Sequence, residues 1–214
     1  MSKAVRSGVG KVVTYLVAAG VVTGVSMSAN ASLRGTGETA QSGSAVGLEY
    51  QIIATSKTST MEKELNQAAE AGFKFDAVMG GETAFGGNEV VAVASRAAGT
   101  KSGRFAYRLL ATSKTSTMQK ELQGAADEGF HYRGQTVFKS AFGGEEVVCI
   151  LERDGGAPKS NVDYRLVATS KTGTLQKELA QVGASGYQLV GMTVGKTALG
   201  GNELVAITRR VKEQ

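Results

Sequence analysis

The stretch "ATSKTSTM" at residues 54–61 returns letter for letter at 111–118 and once more as "ATSKTGTL" at 168–175. Around it, a spacing of 57 residues aligns Tyr50–Arg96, Tyr107–Arg153 and Tyr164–Arg210 without a gap, and 17 positions of each 47-residue copy carry the same residue in all three. Self-similarity at a fixed period signals tandem units of one architecture. The boundaries expected are therefore 50–96, 107–153 and 164–214 for the three repeats, with connecting segments at 97–106 and 154–163.

Within a copy the pattern reads strand, helix, strand, strand. "YQIIATS" is apolar and β-branched at its centre, as a first strand requires. Ser59 with Glu62, and Ser116 with Gln119, have capping-box spacing, and Gly173 with Gln176 keeps half of one. Met61, Leu65, Ala68 and Ala69 then form the apolar stripe of a helix. Gly72, Gly129 and Gly186 stand where a helix ends in a left-handed residue. An aromatic residue and a second strand follow, then Gly-Gly at 86–87, 143–144 and 200–201, a hairpin signal.

The closing strands "EVVAVAS", "EVVCILE" and "ELVAITR" are apolar at consecutive positions, so both faces need cover. A right-handed crossover followed by a tight hairpin puts this strand between the other two. The expected fold is α+β: three βαββ repeats, each a sheet of order 1-3-2 with one helix on one face. The second face is left for a neighbouring copy, so the repeats are expected to pack on each other.

Facing residues in an antiparallel pair have a constant sum of position numbers. One register would set Tyr50 opposite Arg96 and Lys57 opposite Glu89 together. It would also pair Tyr107 with Arg153, Lys114 with Glu146, Tyr164 with Arg210 and Lys171 with Glu203. Each such pair contributes about 0.2–1 kcal/mol, which gives the repeated Lys a role as register clamp. The same register sets Ala54 against Ala92 and Ala111 against Cys149, making the only cysteine a buried thiol.

The first residues read differently. Lys3, Arg6 and Lys11 precede the apolar "VVTYLVAAGVVTGV" at 12–25 and then "SANA" at 28–31, the order of a secretory signal peptide over residues 1–31. A membrane-spanning helix needs about 20 apolar residues, so no membrane span is expected after cleavage. Residues 32–49 read as a flexible lead-in. The formal charge of +5 falls to 21 − 19 = +2 once three basic residues leave with the signal. So small a balance points away from nucleic acid. An exported chain in the periplasm or outside the cell is expected, with an unknown protein or envelope component as partner.

Chemistry-bearing groups are few. His131 is the only histidine, and Lys74 and Gln188 take its place in the other copies, so neither a His-based triad nor a His-rich metal site can be assembled. No cofactor is implied. Glu64, Glu121 and Glu178, with Glu89, Glu146 and Glu203, recur and could in principle serve a hydrolase. A helix surface and a strand clamp account for them more simply. The sharper candidate is an anion site at the strand-to-helix joints: Ser56, Lys57 and Thr58; Ser113, Lys114 and Thr115; Ser170, Lys171 and Thr172. Capping demands Ser or Thr there in any case, and the preferred reading is punctuation.

The third copy, with "YRLVATS", "KELAQVGASGYQLVGM" and a final strand ending at Arg210, resembles a family of small bacterial βαββ domains of unknown function. Tyr164, Leu179, Gly186, Tyr187, Leu189, Val190 and Arg210 carry the likeness. The resemblance implies the fold and supplies no activity. The expected function is an exported, non-catalytic binding or structural module, with a small-anion receptor as the alternative.

Overall fold

The structure, a computed structural model, describes residues 13–15, 47–82, 88–112, 114–139, 145–159, 161–196 and 201–212. The first unit contains β2 (Leu48–Thr55), α1 (Thr58–Glu70), β3 (Lys74–Glu82) and β4 (Asn88–Ala97). The second contains β5 (Phe105–Thr112), α2 (Thr115–Asp127), β6 (His131–Lys139) and β7 (Glu145–Asp154). The third contains β8 (Val162–Thr169), α3 (Thr172–Ala184), β9 (Gln188–Lys196) and β10 (Asn202–Val211). A short strand, β1 (Val13–Tyr15), pairs antiparallel with β2.

Each unit is an antiparallel sheet with its last strand central, in the orders β2-β4-β3, β5-β7-β6 and β8-β10-β9, which is the expected 1-3-2 arrangement. β1 adds a fourth strand to the first sheet. Of the Gly-Gly hairpin signals, all but Gly201 lie outside the described residues, as do residues 32–46 of the lead-in.

The central strands explain the packing. In β7, Val147, Cys149 and Leu151 join Met118, Leu122, Ala125 and Ala126 of α2 in one core. Val148 and Ile150, on the opposite face, join Met61, Leu65, Ala68 and Ala69 of α1 in the core of the first unit. The third unit repeats the move, sending Val162, Tyr164 and Ile207 into the second unit's core. A strand apolar on both faces is thus covered on one by its own helix and on the other by the preceding unit, so three small sheets share continuous cores.

The helices end as the sequence predicts. Gly72, Gly129 and Gly186 have φ of +91°, +90° and +81°. The next residue's amide returns to the helix, with Phe73 N to Ala68 O at 2.9 Å and Tyr187 N to Val182 O at 3.1 Å.

The strand register differs from the expectation by one residue in every unit. Tyr50 faces Ser95 and Glu49 faces Arg96; Tyr107 faces Glu152 and Ala106 faces Arg153; Tyr164 faces Arg209 and Asp163 faces Arg210. Ile53 therefore faces Ala92 and Leu110 faces Cys149, in place of Ala54 and Ala111. The ladders end at Thr55↔Val90, Thr112↔Val147 and Thr169↔Leu204, before Lys57, Lys114 and Lys171 are reached. Those lysines are exposed, and among the described residues no ion pair joins them to Glu89, Glu146 or Glu203.

The constant-sum rule was satisfied by letters that are fixed for other reasons. The closing arginines lie over the aromatic ring after each stop glycine: Arg96 over Phe73 at 4.3 Å, Arg153 over Phe130 at 4.7 Å and Arg210 over Tyr187 at 4.6 Å. Arg96 also donates to Ala71 O at 2.5 Å and Arg210 to Ser185 O at 2.9 Å, a cation on the carbonyl end of a helix.

Candidate functional site

The thrice-written phrase lies at the strand-to-helix joints, and its letters divide into separate jobs. Thr55, Thr112 and Thr169 each accept, on the side-chain hydroxyl, the amide of the lysine two residues on, at 3.2 Å in all three units. This local turn lets the chain leave the sheet. Met61, Met118 and Leu175 at the far end of the phrase are buried in their cores.

Between them the helix starts earlier than expected. Lys57, Lys114 and Lys171 are the N-cap residues, with extended φ of −134°, −114° and −122°, and none makes a side-chain cap bond. Ser59, Ser116 and Gly173 therefore lie inside the first turn, and the expected capping boxes do not form. Ser56, Ser170 and Thr172 are exposed beside the lysines, whereas Thr58 and Thr115 are partly buried. Ser113 lies outside the described residues. Thr115 donates a short hydrogen bond to Glu203 of the third unit. Each joint is thus an exposed lysine beside a helix N-terminus whose leading amides lack a side-chain cap, an arrangement that favours a negative group. Among the described residues no two of the three helices make substantial contact.

Glu62 and Gln119, freed from capping, reach the next unit. Glu62 Oε2 accepts the Leu109 amide at 2.8 Å. Gln119 accepts the Leu166 amide at 2.7 Å and donates to Tyr164 O at 2.7 Å. One turn on, Asn66 accepts Tyr107 N and donates to Tyr107 O, both at 2.9 Å, while Gln123 accepts Tyr164 N at 2.9 Å and donates to Val162 O at 3.1 Å. Tyr107 N and O and Leu109 N on β5, and Val162 O, Tyr164 N and O and Leu166 N on β8, are thereby paired with helix side chains, which covers part of two sheet edges.

A tyrosine completes each seam. Tyr107 OH accepts the Phe75 amide at 2.8 Å, and Tyr164 OH accepts the Tyr132 amide at 2.8 Å. Tyr107 OH also donates to Glu152 at 2.9 Å. The Glu152 side chain is 2% exposed and is held by Arg133, with Lys74 of the first unit at 4.0 Å. Burial, with the Glu152 charge adding to it, holds the Tyr107 phenol well above its ordinary range.

The remaining reactive groups are spread apart. Cys149 is fully buried and its thiol is pushed up to about 12, first by burial and then by Glu121. His131 lines a cleft of about 360 Å³ with Glu128, Arg153, Asp154 and Lys159. Burial, then Arg209 and Arg133, hold its imidazole below the ordinary range. Of the recurring carboxylates, Glu64 and Glu178 are half-buried on helices, Glu121 is exposed, and Glu203 accepts from Thr115. Among the described residues no group of three or more His, Cys, Asp or Glu is placed to hold a metal ion, and no helix is long and apolar enough to cross a membrane.

Of the seam residues, Glu62 and Gln119 stand out in the sequence only by a capping-box spacing that points to a different role, and Asn66, Gln123 and Glu152 differ from copy to copy. A polar residue at a seam that changes from unit to unit becomes visible only when its neighbour in the next unit is known. Comparison of the chain with family models, with curated proteins and with solved structures finds no match.

Proposed function

We propose that this chain is an exported, non-catalytic binding or structural module of the periplasm or cell surface, whose three units are related to the small bacterial βαββ domains that the third copy resembles. The observation that carries this reading is where the polar chemistry goes. The buried polar pair Tyr107 and Glu152, and the Arg133, Glu62 and Gln119 side chains that reach the seams, have hydrogen-bonding groups committed to holding strands and units together. A catalytic group needs a free position for substrate beside it, and such consumption leaves none at the seams. The leader-like order of residues 1–31 supports export.

The test is fractionation of cells producing the full chain, followed by N-terminal sequencing. The expected product starts at Ser32 and is recovered outside the cytoplasm. An intact chain confined to the cytoplasm overturns the reading.

A second reading is favoured by the three uncapped helix starts. Lys57, Lys114 and Lys171, each exposed at an N-cap without a side-chain cap bond, would hold a small anion such as phosphate. Replacing all three by Met tests it through the melting temperature with and without phosphate. Loss of a phosphate-dependent rise in the variant supports a receptor; its absence in the parent chain removes that reading.

A further inference from the structure

The two internal seams are one interface used twice, and the first and third units each carry one half of it that no neighbouring unit covers, the third keeping Gln176 but having Ala180 where α1 and α2 have Asn66 and Gln123. In each seam the leading edge of a unit enters the angle between the helix and second strand of the unit before it. Tyr107 and Tyr164, the entering tyrosines, are 4% and 3% exposed, whereas Tyr50 in the same position of the first unit is 47% exposed. Phe75 and Tyr132, the receiving residues, are 6% and 7% exposed, whereas Leu189 in that position of the third unit is 51% exposed. Among the described residues β2 and α3 make no substantial contact, so the row does not close on itself.

The two end faces are compatible in side-chain size. At the first seam the Phe75 ring lies over Gly134, where an added Cβ would come within 3.3 Å of it. At the second, the Tyr132 hydroxyl lies against Gly191 so closely that no Cβ would fit. At the ends the two positions change size in opposite directions: the receiving aromatic becomes Leu189 and the glycine becomes Ala77. Joined end to end, a smaller knob would meet a shallower hole, as packing at constant volume requires. Gln176, the counterpart of Gln119, is exposed on α3 and available to the backbone of a further β2.

The β2 edge is occupied in this chain. β1 pairs Tyr15 with Tyr50 and Val13 with Ile52, the stretch of β2 that corresponds to the one held on β5 by Glu62 and Asn66. We propose that copies of this chain join head to tail, the α3–β9 end of one receiving the β2 end of the next, once residues 13–15 have left β2. Removal of those residues as part of a signal peptide rests on the export reading; the interface itself does not. A head-to-tail contact that fails to close builds an open filament.

The test uses the full chain and a double variant, Val13→Pro with Tyr15→Pro, whose β1 cannot hold its ladder. Sedimentation is followed from micromolar to near-millimolar concentration. The full chain is expected to stay at the mass of one chain, 22.1 kDa, and the proline variant to grow with concentration. Adding Tyr50→Asp or Leu189→Asp, both at exposed positions, should abolish growth without lowering the melting temperature. Mixing those two blocked chains should give a species of twice the single-chain mass and nothing larger, because one sound interface remains between them. A proline variant that stays monomeric, growth that survives either aspartate, or a mixture that forms no dimer overturns the proposal. N-terminal sequencing of exported material decides the export reading separately, whatever the sedimentation shows.

Discussion

Tyr107 and Phe75, 32 residues apart, join two units: the Tyr107 hydroxyl of the second unit accepts the Phe75 backbone amide of the first at 2.8 Å, with the rings 6.4 Å apart at 61°. The same oxygen donates to buried Glu152. Removing it leaves a buried amide and a buried carboxylate each short of one partner. Tyr107→Phe is expected to cost about 1–3 kcal/mol in urea unfolding, because orphaned buried groups lose their full solvation. Tyr50→Phe, at the exposed counterpart, should leave the midpoint unchanged.

Glu62 and Gln119 do the same work with different chemistry. Glu62→Gln is expected to be close to neutral, since Gln119 already accepts a Leu amide in this position. Glu62→Leu, which removes the acceptor for Leu109 N, should cost about 1–3 kcal/mol. Native-state hydrogen exchange at Leu109 should accelerate in the Leu variant and not in the Gln variant.

Cys149 tests the two-sided burial of β7. Burial and the neighbouring Glu121 keep the thiol protonated at neutral pH. A disulfide reagent is expected to modify it only as fast as the chain opens. Cys149→Ala should cost about 1 kcal/mol, as Ala92 and Ala206 fill the same position fully buried in the other units. Immediate reaction of the native thiol would contradict the packing.

His131 gives a pH signature that is simple to read because the chain has no other histidine. Its folded pKa lies below the ordinary 6.5 through burial and the charges of Arg209 and Arg133. The unfolded chain therefore binds this proton first. Its contribution is fully present above pH 6.5 and is lost as the pH falls through the lower folded value. Ring-proton NMR titration should give a midpoint below that of a free histidine, and His131→Gln, the residue found at 188, should flatten the stability slope over this window.

The repeat, the helix stripes, the stop glycines and the 1-3-2 order were all legible in the letters, because each depends on interactions within a few residues or on the need to cover a strand apolar on both faces. The register was not. A sum rule over Tyr50, Arg96, Lys57 and Glu89, once met in one copy, is met in every copy where those letters recur, so three agreements are one coincidence, and it carries no information about what fixes them. Arg96 is fixed by the Phe73 ring and the end of α1, and Thr55 by a turn. Glu62 had the spacing of a capping box, yet the helix starts at Thr58 and the carboxylate has a neighbouring strand to hold.

By itself the sequence determined what each unit is: periodicity and local turn chemistry act within one copy, and three copies repeat the same instruction. How one unit meets the next is fixed by long-range packing instead. That contact is made by Glu62, Asn66 and Tyr107 with backbone groups some 30 to 50 residues away, and a backbone amide is written in no letter. Which amides are left unpaired, and which side chain must come to them, is settled when the edge of one sheet is laid against the helix of another.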